Sequence, residues 1–77
     1  MTDEEVVLVR NAFTQIGDEE GWALYQRGDE IVELYRRPGA MSHWKWTYYP
    51  SQSVQARAHG QGDADLDQVI AAPAARG

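Results

Sequence analysis

The three tryptophans and four tyrosines of this chain all lie between residues 22 and 49, and that concentration limits the fold more than any other feature. An aromatic side chain carries about 150–250 Å² of surface that folding takes out of water. A domain of 77 residues buries a modest fraction of its surface and has few other means of building a core. There is no cysteine, hence no disulfide, no thiolate metal site and no thiol nucleophile. That absence fits a reducing compartment. No basic-then-apolar leader opens the chain, so no signal peptide is expected, and a cytoplasmic location is the expectation.

The aromatic block reads as sheet. "WALYQRGDEIVELY", residues 22–35, has the form of a β-hairpin, with Gly28 suited to the first central position of a type II′ turn and Asp29 to the second. That register pairs Arg27 with Glu30, Tyr25 with Val32, Ala23 with Leu34 and Trp22 with Tyr35. One face then carries Ala23, Tyr25, Val32 and Leu34. The other carries Trp22, Leu24, Ile31 and Tyr35, diluted by Gln26 and Glu33, so both faces are apolar enough to need a cover. Pro38-Gly39 suits a type II turn. "SHWKWTYY", 42–49, alternates next, with Trp44, Trp46 and Tyr48 on one side and His43, Lys45, Thr47 and Tyr49 on the other. The first set is assigned to the core and the second to a face free to meet a partner.

The flanks read as helices. In "TDEEVVLVRNAFTQIG", Thr2 and Glu5 form a capping box and Asp3, Glu4 and Glu5 sit at the positive end of the helix dipole. Val6, Val9, Phe13 and Ile16, with Ala12, make an apolar stripe, and Gly17 is a natural residue for the position just past the helix end. "DEEG", 18–21, reads as a loop. "SVQARAH", 53–59, alternates and is read as a fourth strand, with a short helix as its alternative. "GQGDAD" is a loop, and "DLDQVIAA" a short helix capped by Asp65 and stopped by Pro73. The expected fold is α+β: an N-terminal helix, a three- to four-stranded antiparallel β-meander and a short C-terminal helix. It forms one domain over 1–72 with a frayed tail over 73–77. The order helix, three strands, helix is similar to that of double-stranded-RNA-binding domains. The lysine-rich start of their last helix is missing, so that family is not assigned.

Charge is uneven. The net charge is −5, yet residues 35–60 hold no acid and carry Arg36, Arg37, Lys45 and Arg57. Arginine outnumbers lysine and alanine is abundant, a bias of G+C-rich coding that suggests a bacterium or its phage. The acidic runs at 3–5 and at Asp18, Glu19 and Glu20 fall at the two ends of the expected first helix. There they would frame a surface for a basic partner.

Motifs for chemistry are weak. The tripeptide at 27–29 matches an adhesion motif, but a turn needs Gly and Asp there anyway. "DADLD", 63–67, imitates the start of an EF-hand loop, whose glycine at position six and glutamate at twelve are missing. His43 and His59 have no metal-ligand spacing. Ser42, Ser51 and Ser53 have no nucleophile elbow, and no glycine loop could cradle a phosphate. No enzyme, metal or cofactor is expected. The expectation is a small acidic protein-interaction module, a regulator or inhibitor of a partner protein, for example a phage- or mobile-element-encoded inhibitor of a host nucleic-acid machine such as an anti-CRISPR protein. Its partner is expected to be a protein, a basic nucleic-acid-binding one for example, or a second copy in a homodimer, with no membrane association. The contact residues named are Asp18, Glu19, Glu20, His43, Lys45, Tyr49 and Arg57. The alternative is nucleic-acid or small-ligand binding through the basic aromatic strand 43–49.

Overall fold

The computed structural model describes residues 2–36, 44–51 and 58–75, with side chains to residue 71. Its elements are α1 (Asp3–Arg10), β1 (Thr14–Glu19), β2 (Trp22–Arg27), β3 (Glu30–Tyr35), β4 (Lys45–Tyr49), β5 (Ala58–Gln61) and α2 (Asp63–Ala75). The strands form one antiparallel sheet in chain order, β1-β2-β3-β4-β5. The fold is α+β as expected, with five strands where three or four were expected.

Helix α1 starts as its sequence dictates. The Thr2 backbone N–H donates to Glu5 Oε1 at 3.1 Å, and the Glu5 N–H donates to Thr2 Oγ1 at 3.4 Å. It ends earlier than the apolar stripe implies. Ala12 takes a left-handed φ of +69°, its N–H bonds to Val9 O, and the Phe13 N–H bonds back to Leu8 O at 2.9 Å. These two bonds are a Schellman motif, closed by the buried pair Leu8 and Phe13. The expected helix through Ile16 is therefore wrong, and so is the stripe. Val7 and Leu8 face the core, while Val6, Val9 and Ile16 are 44–50% exposed. Residues 14–19 are a strand, so the expected loop at 18–21 shrinks to the turn at Glu20 and Gly21.

The hairpin matches its sequence register pair for pair. Gly28 has φ +59° and Asp29 has no positive φ, as a type II′ turn requires. Strand β4 pairs with β3 and puts Trp46 and Tyr48 on the same side as Ala23, Tyr25, Val32 and Leu34. These residues, with Trp44, are buried, as the alternation required. The helices close that side with Val7 and Leu8 from α1 and Leu66 and Ile70 from α2. On β5, Gly60 makes room for Trp46, because a Cβ there would stand 2.8 Å from Trp46 Cζ2. The indole donates to Gly62 O at 3.1 Å.

Beyond the sheet centre the reading of the C-terminal third changes. Only Ala58 and His59 of the expected strand 53–59 lie within the described residues, and they belong to β5. Gly60 and Gln61, expected in a loop, continue that strand. Helix α2 begins at Asp63 rather than Asp65 and runs through Pro73 to Ala75, so Pro73 does not stop it. The Pro38-Gly39 turn lies outside the described residues.

One polar clamp ties the covered side together. Arg27 donates to both oxygens of Glu30, at 2.8 and 3.0 Å. It also donates to Asn11 O at the end of α1 and to Ile70 O on α2, each at 2.9 Å. Its guanidinium stands 4.6 Å from the Phe13 ring centre, and Glu30 Oε2 also accepts from the Tyr48 hydroxyl at 2.6 Å. With Arg27 held inward, the tripeptide 27–29 is a turn with a structural arginine. Asp67, from the run that imitates a calcium loop, pairs with Arg10 and accepts from Asn11.

Candidate functional site

The other side of the sheet is covered by no described element. Strand alternation and register define it row by row. Trp22, Tyr35, Lys45 and Gln61 lie abreast in the first row, Leu24, Glu33, Thr47 and His59 in the second, and Gln26, Ile31 and Tyr49 in the third. Depressions on this face are lined by described residues. A groove of about 590 Å³ is lined by Ile16, Trp22, Leu24, Gln26, Ile31, Glu33 and Tyr49. A smaller one of about 290 Å³ is lined by Tyr35, Lys45, His59, Gly60 and Gln61.

The groove is built by two departures from regular structure. The register of β1 shifts between Gln15 and Gly17, and this bulge brings Ile16 to the groove although it is out of step with the ladder. Gly17 then lets the Trp22 indole lie across β1, since a Cβ there would stand 2.9 Å from Trp22 Cη2 and Cζ3. At its other end the indole Nε1 donates to Glu33 Oε2 on β3 at 2.8 Å. Trp22 thus spans three strands and forms a fixed wall. The second oxygen of Glu33 has no hydrogen bond or ion pair with any described residue.

The groups with displaced titration lie on the covered side. The Arg27 guanidinium holds the Glu30 carboxyl below its ordinary value, outweighing the burial that raises it, and the Tyr48 hydroxyl adds to the effect. The Glu30 carboxylate in turn raises Arg27. Burial, with the adjacent Glu5 carboxylate, pushes the Tyr25 hydroxyl up to about 12. Burial also works to raise Glu5, but hydrogen bonds from the Thr2 backbone, the Tyr25 hydroxyl at 3.0 Å and the Thr2 hydroxyl together leave it lowered. Displaced titration often marks a reactive site. Here each of these groups is tied to partners within the chain, which is the pattern of a structural network.

The sequence-derived contact residues that are described do not form one site. Asp18, Glu19 and Glu20 are exposed, but the register sets Glu19 beside Trp22 on the open face and Asp18 beside Ala23 on the other side. The acidic frame around the first helix is overturned. The run 18–20 ends a strand, Glu4 is 1% exposed, and Glu5 is bonded to Thr2 and Tyr25. Lys45 and Tyr49 both belong to the open face, yet they lie four residues, about 13 Å, apart along β4 and line different depressions. His43 and Arg57 lie outside the described residues. Sequence reasoning left out the groove itself. The apolar second face of the hairpin was legible in Trp22, Leu24 and Ile31, but not that both helices would go to the opposite side.

Among the described residues no cluster of His, Cys, Asp and Glu could hold a metal ion, and no helix is long and apolar enough to cross a membrane. The chain matches no protein-family model, no curated protein and no solved structure.

Proposed function

We propose that this protein is a small acidic protein-interaction module without catalytic activity, a regulator or inhibitor that lays the open face of its sheet against a partner protein. One observation carries the reading: a groove of mixed character with a fixed tryptophan wall, on a face that no described element covers. Aromatic side chains of this kind are enriched in the cores of protein interfaces. The net charge of −5, with Glu19 and Glu33 on this face, favours a basic partner such as a nucleic-acid-binding protein. An inhibitor of a host nucleic-acid machine, of the anti-CRISPR kind, is one such role.

The test is nuclease-treated affinity capture with the native chain and with Leu24→Asp, which places a charge in the groove floor. Circular dichroism checks that the variant folds, and light scattering of the free chain runs alongside. Capture of a basic protein by the native chain and its loss in the variant are expected. Equal capture by both removes the open face as the docking surface. A homodimer that Leu24→Asp splits would put a second copy in the place of the partner.

The smaller depression supports a second reading, nucleic-acid or small-ligand binding through the strand 43–49. It gathers Tyr35, Lys45 and His59, an aromatic ring and a cation of the kind that holds bases and phosphates. Such binding weakens steeply with salt. A single-stranded oligonucleotide that gives no mobility shift at low salt removes this reading.

A further inference from the structure

We infer that the groove on the open face receives an arginine side chain from the partner protein, with Glu33 as its counter-ion and Trp22 and Tyr49 as its aromatic walls. The inference rests on the docking reading above and names the chemistry of what docks.

The covered side shows what the open groove lacks. There a β3 glutamate, Glu30, holds the guanidinium of Arg27 beside the Phe13 ring, and the Tyr48 hydroxyl completes the carboxylate's bonds. The open face repeats the parts with a second β3 glutamate, a second tyrosine of β4 and an aromatic ring: Glu33, Tyr49 and Trp22. Among the described residues no cation joins them. Among the described residues Glu33 forms no ion pair, and its single hydrogen bond comes from a neutral indole N–H. Lys45 faces the same way but lines the other depression.

A carboxylate placed among Ile16, Leu24 and Ile31 would be costly to cover with an apolar partner, because covering strips its water without replacing it. A cation removes that cost. Guanidinium fits better than ammonium for two reasons. It is planar and weakly hydrated, so it lies against aromatic faces. It can also meet both carboxylate oxygens at once, while Oε2 keeps its bond from Trp22. The net charge of the chain and the exposed acids Glu19 and Glu20, next to Trp22 in sequence and register, favour the same sign of partner.

The experiment titrates the full chain with two tripeptides, arginine between two leucines and the neutral isostere citrulline between two leucines. Both are amidated and acetylated, and both are followed by the Trp22 indole N–H resonance. The arginine peptide is expected to shift that resonance saturably and to bind up to about five-fold more tightly than the citrulline peptide, the range of a partly exposed ion pair. Glu33→Gln is expected to erase the difference, and because the amide oxygen still accepts from the indole, the wall is preserved. High salt should shrink the preference. Equal binding of the two peptides, a preference that survives Glu33→Gln, or no saturable shift with either peptide overturns the inference. The docking reading is decided separately, by the capture comparison with Leu24→Asp.

Discussion

Glu30 and Glu33 stand three residues apart on β3, and the odd spacing sends them to opposite faces of one sheet. On the covered side Glu30 meets two nitrogens of Arg27 and the Tyr48 hydroxyl. On the open side Glu33 meets one indole N–H. Two tryptophans repeat the contrast. Trp46 is 2% exposed, packed over Gly60 and bonded to Gly62 O, whereas Trp22 is half-buried and forms the wall of a groove. The covered face is the more apolar, and the open face mixes Trp22, Leu24, Ile31 and Tyr49 with Gln26, Glu33, Lys45 and Thr47. Both described helices went to one side, so that side stabilises the fold, and the other is covered by no described element.

The comparison breaks most readily at the tryptophans. Trp46→Ala is expected to cost about 3–5 kcal/mol, as large-to-small core changes do, and Trp22→Ala about 1 kcal/mol. Urea unfolding of both variants measures this, and equal losses would erase the distinction between the faces. The clamp gives the next effect. Arg27→Ala strands the Glu30 carboxylate and two backbone carbonyls. With both side chains of the pair 21% exposed, the cost is about 2 kcal/mol, below that of a fully buried pair. Glu33→Gln on the open face should stay within about 0.5 kcal/mol.

Dependence on pH sharpens the same contrast, because Glu5, Tyr25, Arg27 and Glu30 all serve the covered side. The lowered carboxyls of Glu30 and Glu5 make the unfolded chain bind more protons in acid. Their stabilisation is complete above the ordinary value of 4.5 and is lost as pH falls through the folded values. Tyr25 acts in the opposite sense. Its contribution is complete below pH 10 and is lost as pH rises towards about 12. Unfolding midpoints across pH should show both limbs, with Glu30→Gln flattening the acid one and Tyr25→Phe the alkaline one. One small effect is a gain. Ala12→Gly relieves a left-handed residue at the end of α1 and should add about 0.5–1 kcal/mol.

What could be read in the sequence follows from where local chemistry decides the structure. The capping box, the Gly28 turn and the alternation of Trp44, Trp46 and Tyr48 each depend on residues near in sequence, and each is found. The end of α1 was hidden because Ala12, not a glycine, takes the left-handed position, so the apolar pattern ran on to Ile16. Strand β1 was hidden because it lies at an edge, is mostly exposed, and has a bulge that interrupts the period of two. At β5, Gly60 matters for the volume it leaves to Trp46, which no pattern along the chain reveals. The groove was half legible. Its apolar residues were visible as a second face, but Glu33 read as a diluting polar residue. Its place beside Trp22 is a matter of strand pairing and of the space over Gly17.

The division of the tryptophans has a practical side. Trp44 and Trp46 are buried, at 6% and 2% exposure, and only Trp22 among the three lines the open groove. Dissolved caesium, a quenching cation that Glu19 and Glu33 attract, can reach the half-buried Trp22 and not the two buried indoles. The collisional component of the chain's ultraviolet emission therefore belongs to the open face alone. Any molecule that settles there shields it, and the protein carries its own optical gauge of occupancy.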